Sequence, residues 1–170
     1  VEMMSILELV DLDSVKFNST AYVHLMAEVM RRAFADRAAY IGDPDFNPEM
    51  PIDELTSKVF AKKRFDNIDM TKASVSDAAL YGHPYDGNNT THFSVVDKEG
   101  NAVSLTYTLE YAYGSQMGSN ELGFIFNNEM GDFNPVPGLT TNSGQIGSPA
   151  NLIAPEKRML SSMTPTIVAK

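Results

Sequence analysis

Two threonines, Thr90 and Thr108, are candidates for hydroxyl chemistry because the sequence places them opposite each other. The stretches 90–96 and 102–108 alternate as strands do, and the loop Lys98-Glu99-Gly100 lies between them. A type I turn closed by a left-handed glycine is a usual three-residue hairpin connection, and counting pairs outward from it brings Thr90 opposite Thr108. Opposed residues have β-carbons roughly 4.5 to 5.5 Å apart, so the two hydroxyls can form a hydrogen bond. Thr–Thr pairs are also common in ordinary sheets, and the pair alone leaves both a catalytic and a structural role open.

Helices are predicted before this hairpin. Residues 1 to about 66 have helical spacing, and the clearest helix begins at the N-cap candidates Asn18-Ser19-Thr20 and ends near Gly42. Its predicted apolar face consists of Tyr22, Leu25, Met26, Val29, Met30, Ala33, Arg37 and Tyr40. After a proline-interrupted turn, a further helix is predicted with Pro51 in its first position and with Leu55, Val59 and Phe60 buried.

A linker is predicted from about Thr71 to Asn89, and more strands are predicted after the hairpin. Gly123 to Asn128 has strand character, and residues 134–150 form a loop rich in Gly, Pro and Ser. Thr166-Ile167-Val168-Ala169 begins another strand, which we expect to continue beyond the last residue. We therefore expect the chain to be a piece of a longer protein.

Several separated blocks of sequence carry a further signal. They are Ala33-Phe34-Ala35-Asp36-Arg37 through Gly42-Asp43-Pro44, Thr90 to Asp97 followed by Gly100 to Ser104, Tyr113-Gly114-Ser115, Asn127-Asn128-Glu129-Met130, Asp132-Phe133, and Leu160 to Thr166. In their order and spacing these blocks resemble the γ-glutamyltranspeptidase family of N-terminal-nucleophile hydrolases. The resemblance implies an α+β fold that is part of an αββα sandwich, truncated at both ends. Residues 1–89 would end a large subunit and residues 90–170 would begin a small one.

The resemblance also implies that a precursor is cleaved between Asn89 and Thr90. Cleavage frees Thr90 as an N-terminal residue whose hydroxyl attacks a γ-glutamyl amide. A threonine hydroxyl is a poor nucleophile, whereas an α-amino group, with a reference pKa of ~7.7 to 8.0, is a general base near pH 7. Before cleavage that nitrogen is an amide, so processing and activation are the same event.

Further site residues follow from the same resemblance. Thr108 would hold the Thr90 hydroxyl, the substrate's α-ammonium would lie against Glu110, Glu129 and Asp132, and its α-carboxylate would lie against Ser161 and Ser162. A zwitterionic head group needs acceptors at one end and donors at the other, which agrees with this division. Without the resemblance, Glu129 and Asp132 would be interpreted as turn caps and the two serines as polar loop residues.

The chain departs from the family pattern in two places. Glu110 stands where asparagine is more familiar, and Gly131 replaces an acidic residue that commonly precedes Asp132. Glu110 can still accept a hydrogen bond from an ammonium group, but it adds negative charge. The family's oxyanion-hole glycines are expected beyond Lys170 and its carboxylate-binding arginine upstream of Val1, so we expect this piece alone to be inactive.

Composition excludes several classes of function. A net charge of −9 with scattered basic residues argues against nucleic acid and anionic membranes as partners. The absence of cysteine excludes disulfides and thiolate sites, and His24, His83 and His92 lack metal-ligand spacing. We expect no metal and no cofactor. No signal peptide or membrane span is recognisable in this segment, and the resemblance implies a periplasmic or extracellular parent.

The resemblance implies γ-glutamyl compounds such as glutathione as substrates and water or amino acids as acceptors. Further partners would be the missing remainder of both subunits, and exposed strand edges could make the piece self-associate. Two alternatives remain. A β-lactam (cephalosporin or glutaryl) acylase of the same superfamily would keep Thr90 and Thr108 but need an apolar acyl pocket. A non-catalytic relative would use the fold for binding or assembly, without cleavage at Thr90.

Overall fold

The computed structural model describes residues 1–75, 90–134 and 149–169. The described part is an α+β structure with helices first and an antiparallel strand pair after them. The helices are α1 (Glu2–Leu7), α2 (Thr20–Tyr40), α3 (Ile52–Leu55) and α4 (Lys58–Phe65), and the strands are β1 (Thr90–Val96) and β2 (Ala102–Thr108). Short 3-10 turns cover Leu12–Ser14, Glu129–Asp132 and Pro149–Asn151. The predicted order of helices before strands is confirmed.

Helix α2 begins where the sequence predicts. The Ser19 hydroxyl accepts a hydrogen bond from the Tyr22 N–H at 3.2 Å, which satisfies one of the donors that a helix N-terminus leaves unpaired. The helix ends at Tyr40, two residues before Gly42, as predicted. Gly42 lies so close to a neighbouring segment that a β-carbon there would lie 2.7 Å from the Ala150 carbonyl carbon. A larger residue would therefore push two backbone segments apart.

The core lies between α1, α2 and α4. Its buried members are Ile6, Leu7, Leu25, Val29 and Ala61. Burying an aliphatic side chain of this size stabilises a fold by about 1.5–3 kcal/mol.

The predicted apolar face of α2 is partly wrong. Met30 and Tyr40 are exposed, while two acidic residues, Glu28 and Asp36, are buried. Arg32 donates to Glu28 at 2.6 Å, and the Nε atom of Arg64 donates to Asp36 at 2.7 Å. Each buried carboxylate is thus compensated by an arginine, which apolar periodicity cannot reveal.

The helix predicted after Pro51 is two helices. Pro51 precedes α3 instead of occupying its first position. A second cap then starts α4, because the Ser57 hydroxyl accepts from the Phe60 N–H at 3.1 Å. The interruption changes which residues face inward. Phe60 is buried as predicted, whereas Val59 is 82% exposed and its predicted burial is wrong.

The hairpin has the predicted loop and register. Gly100 is left-handed, with φ of 87°, and its N–H donates to the Asp97 carbonyl at 3.1 Å. The strands pair antiparallel, with Thr90 opposite Thr108. One face is polar and carries both threonines. The other face exposes five large apolar or aromatic side chains, namely Phe93, Val95, Val103, Leu105 and Tyr107.

Two predicted strands are absent from the described residues. Instead of a strand over Gly123–Asn128 there is an isolated bridge between Gly118 and Ile125, because a tight turn with a left-handed Gly123 interrupts the ladder. Residues 161–169 are not a strand either, since no partner strand pairs with them in the described ranges. Most of the predicted linker and of the predicted 134–150 loop lies outside the described residues.

Polar contacts join the turn after α2 to the C-terminal segment. The buried carboxylate of Asp43 accepts from the Arg158 N–H at 2.7 Å and from Arg158 Nη2 at 2.6 Å. These hydrogen bonds hold the pKa of Asp43 well below its usual range. Asn47 Nδ2 donates to the Ala150 carbonyl at 3.0 Å. Within the described ranges, no helix is both long and apolar enough to span a membrane.

Candidate active site

The two candidate hydroxyls lie at the open end of the hairpin. Thr90 begins β1 and is exposed, and Thr108 ends β2 and is partly buried. The Thr108 oxygen accepts a hydrogen bond from the Glu110 N–H at 3.0 Å. A hydroxyl has one proton to donate, so Thr108 keeps its own proton for another acceptor on the face it shares with Thr90. Asn89, the other residue of the predicted cleavage site, lies outside the described residues.

Three carboxyl groups come together beyond Thr108. Burial, followed by the charge of Asp132, raises the pKa of Glu129 to about 7. Burial and the charge of Asp132 also raise the pKa of Glu110, against the opposing effect of the Gly131 N–H. Glu129 is 8% exposed, and its Oε1 atom is buried without a hydrogen-bond partner among the described residues. The structure thus brings together Glu110, Glu129 and Asp132, which we call the acidic cluster.

Gly131 leaves the space that the Glu110 carboxylate occupies. A β-carbon on Gly131 would lie 2.7 Å from Oε2 and 2.8 Å from Cδ of Glu110. Both distances are shorter than a non-bonded contact, so Glu110 can lie here only because residue 131 has no side chain.

One of the two serines, Ser162, contacts a partly buried arginine, Arg37. The Nη2 atom of Arg37 donates to the Ser162 hydroxyl at 3.2 Å. Burial lowers the pKa of Arg37, and the nearby charge of Asp132 partly reverses this shift. Arg37 therefore lies between the acidic cluster and Ser162. Ser161 is exposed, and its hydroxyl accepts from the Met163 N–H at 3.2 Å.

Sequence reasoning missed two residues of this region. Arg37 was assigned to the apolar face of α2, although a charged residue on such a face signals a buried partner. Asn128 contacts the backbone on both sides of Glu110 and was recognised only as part of a family block. The sequence signal that could have identified Asn128 is its position directly before Glu129.

This arrangement is suited to binding a cation next to a hydroxyl. The carboxyl groups can accept hydrogen bonds from an ammonium group, while Ser162 and Arg37 can donate to an anion. Within the described residues no group of three or more acidic or histidine side chains has the arrangement of a metal site.

The chain is similar in sequence to known proteins. The family model described as gamma-glutamyltranspeptidase matches residues 1–170. A glutathione hydrolase proenzyme of Escherichia coli is 45% identical over 100% of the chain, and one from Pseudomonas aeruginosa is 46% identical over 94%. An acylase ACY 1 proenzyme of a Pseudomonas species is 38% identical over 99%. The chain spans 30%, 28% and 28% of these relatives, respectively. Because the family model matches the whole chain, the protein belongs to the γ-glutamyltranspeptidase family.

Proposed function

We propose that this chain is the part of a γ-glutamyltranspeptidase proenzyme that spans the junction of its two subunits, with residues 1–89 in the large subunit and residues 90–170 in the small one. The complete protein would cleave γ-glutamyl amides such as glutathione. One observation carries the proposal: Thr90 pairs with Thr108, whose hydroxyl is tied through the Glu110 N–H to the acidic cluster. Thr108 and Glu110, which are two residues apart, thereby connect the candidate nucleophile to the candidate ammonium site.

The proposed reaction is acyl transfer. Cleavage of the Asn89–Thr90 bond gives Thr90 a free α-amino group, which takes the proton of its hydroxyl as that oxygen attacks the γ-carbonyl carbon. The tetrahedral intermediate collapses, the amine leaves with a proton, and a γ-glutamyl ester of Thr90 remains. Water or the amine of an amino acid then attacks the ester and restores the threonine. The Thr108 hydroxyl holds the attacking oxygen throughout.

Substrate recognition is assigned by charge. The acidic cluster takes the α-ammonium group. Glu110 Oε2 and Glu129 Oε1 are buried without a hydrogen-bond partner among the described residues, and they gain hydrogen bonds when a cation binds. Ser161 and Ser162 take the α-carboxylate, and Arg37 adds positive charge on that side. An α-amino acid head group fits between them with each charge facing its complement.

The proposal extends to the assembly and its location. The strand pair would form part of an αββα sandwich completed by the rest of both subunits, which would cover the exposed face carrying Phe93, Leu105 and Tyr107. The complete protein would work in the periplasm or outside the cell.

Replacement of Thr90 tests the proposal in the complete protein. Thr90→Ala should abolish both processing and hydrolysis of γ-glutamyl-p-nitroanilide, because no hydroxyl remains to attack. Thr91→Ala is the matched control, since Thr91 lies next to Thr90 but on the opposite face, paired with Tyr107. It should be processed and remain active. Normal processing with most of the activity retained in Thr90→Ala would show that another residue is the nucleophile.

The acylase match supports a second candidate, a β-lactam acylase with the same nucleophile. Such an enzyme needs an apolar acyl pocket where this chain has the acidic cluster. Comparing kcat/KM for γ-glutamyl-p-nitroanilide and for glutaryl-p-nitroanilide, which lacks the α-ammonium group, separates the two. A preference for the glutaryl compound would favour the acylase.

A further inference from the structure

Asn128 holds the backbone on both sides of Glu110. Its N–H donates to the Leu109 carbonyl at 3.1 Å, and its side-chain Oδ1 accepts from the Tyr111 N–H at 3.1 Å. Its own carbonyl accepts from the Gly131 N–H at 3.0 Å. One residue therefore fixes the turn that contains Glu110 and also the glycine against which the Glu110 carboxylate lies.

Glu110 adopts a backbone conformation that it would not choose by itself. Its φ of 69° is left-handed, which is disfavoured for a residue with a β-carbon unless the surroundings hold it there. In this conformation its N–H points to the Thr108 hydroxyl at 3.0 Å while its carboxylate lies over Gly131. The hydrogen bond that the Asn128 N–H donates to the Leu109 carbonyl and the one that Asn128 Oδ1 accepts from the Tyr111 N–H supply the restraint.

We propose that Asn128 is a positioning residue for the Thr90–Thr108 pair: by clamping the Leu109–Tyr111 segment it keeps Glu110 left-handed, so that the Glu110 N–H fixes the Thr108 hydroxyl. The inference rests on the proposed function only in taking Thr90 as the nucleophile. Without the clamp, Glu110 relaxes to negative φ and its N–H leaves Thr108. The Thr108 hydroxyl then rotates among several orientations, and only some of them hold Thr90.

A double-mutant cycle in the complete protein tests this role. Asn128→Ala should lower kcat for γ-glutamyl-p-nitroanilide by about tenfold, or about 1.4 kcal/mol in activation free energy. Glycine adopts positive φ without a penalty, so the clamp matters less once residue 110 is glycine. In a Glu110→Gly background, where loss of the carboxylate already raises KM, Asn128→Ala should therefore lower kcat by no more than about twofold. A residue needed only for folding would give the same factor in both backgrounds.

Asn127 provides a matched control. Its Oδ1 accepts from the Glu129 N–H at 3.1 Å, which is the same kind of bond at the same length in the same loop. It holds Glu129, not Glu110. Asn127→Ala should change KM through Glu129 and lower kcat equally in both backgrounds.

Amide hydrogen exchange at residue 110 gives a readout that does not need catalysis. In the complete protein, Asn128→Ala removes the acceptor of the Tyr111 N–H, so the Glu110 N–H should turn away from the Thr108 hydroxyl and the Glu110 amide should exchange about tenfold faster or more. Asn127→Ala should leave this exchange unchanged. Unchanged Glu110 exchange in Asn128→Ala, or equal kcat losses in both backgrounds, overturns the inference. If the wild-type protein does not hydrolyse γ-glutamyl amides, the proposed function fails, and exchange at Glu110 still decides whether Asn128 is the clamp.

Discussion

Replacing Gly131 with alanine moves one carboxylate of the acidic cluster and leaves the rest of the site unchanged. The added β-carbon would lie 2.7 Å from Oε2 and 2.8 Å from Cδ of Glu110. Non-bonded contacts need about 3.5 Å or more, so the carboxylate must move by about 1 Å. The clashing atoms are the end of a flexible side chain, and we expect Glu110 to swing away while the backbone stays in place.

The expected cost is that of one charge-assisted hydrogen bond to the substrate's ammonium group. Such a bond contributes about 1.5–3 kcal/mol, which corresponds to about a 10- to 150-fold loss in kcat/KM. The assay is hydrolysis of γ-glutamyl-p-nitroanilide by the complete protein. Glutaryl-p-nitroanilide, which lacks the ammonium group, serves as the comparison substrate and should lose much less.

Gly118→Ala is the matched control, because a β-carbon there would lie 3.5 Å from the Phe124 carbonyl oxygen, an ordinary contact. It should change kcat/KM by less than about twofold. The reasoning is refuted if Gly131→Ala stays within about threefold of wild type, or if it slows both substrates equally. Equal slowing would mean that the substitution disturbs the nucleophile instead of ammonium recognition.

Four further predictions concern the site and its support. Thr108→Val keeps the shape of residue 108 but removes its hydroxyl, and it should lower kcat by about tenfold or more with little change in KM, as steady-state kinetics would show. The pKa of Glu129 is raised to about 7, so Glu129 takes up a proton as the pH falls below 7, and KM for a γ-glutamyl substrate should rise by up to about tenfold per pH unit between pH 7 and 5.5. Burial raises the pKa of Glu28, but hydrogen bonds from Ser74 and Arg32 lower it from 4.5 to about 2. This shift contributes about 3 kcal/mol of stability above pH 4.5 that is lost as the pH falls to 2, and urea denaturation of Glu28→Gln should show a similar loss at pH 7 and a flatter pH dependence. Finally, this chain by itself should remain uncut between Asn89 and Thr90 after long incubation at neutral pH, and two products in an intact-mass spectrum would contradict that.

The hairpin register was predictable because it depends on local sequence. A three-residue loop that ends in a glycine leaves little choice of pairing, and Gly100 is left-handed as the turn requires. The start of α2 was predictable for the same reason, since a serine cap acts within three residues.

Long-range polar partners were not predictable in this way. The contact between Arg37 and Ser162 joins residues that are 125 positions apart, and no spacing rule connects them. The burial of Glu28 depends on Ser74, 46 positions away. The predicted burial of Val59 was wrong for a different reason. Ser57 starts a new helix, and the buried residues of that helix are Phe60, as predicted, and Ala61.

Two polar contacts join residues on either side of the Asn89–Thr90 bond, namely Asp43 with Arg158 and Asn47 with Ala150. Neither contact depends on a continuous backbone across the residues that separate them. A break at the Asn89–Thr90 bond would leave two pieces that still hold each other through these polar groups. Their association would then follow mass action, so dilution and high salt, rather than the cut itself, would separate them.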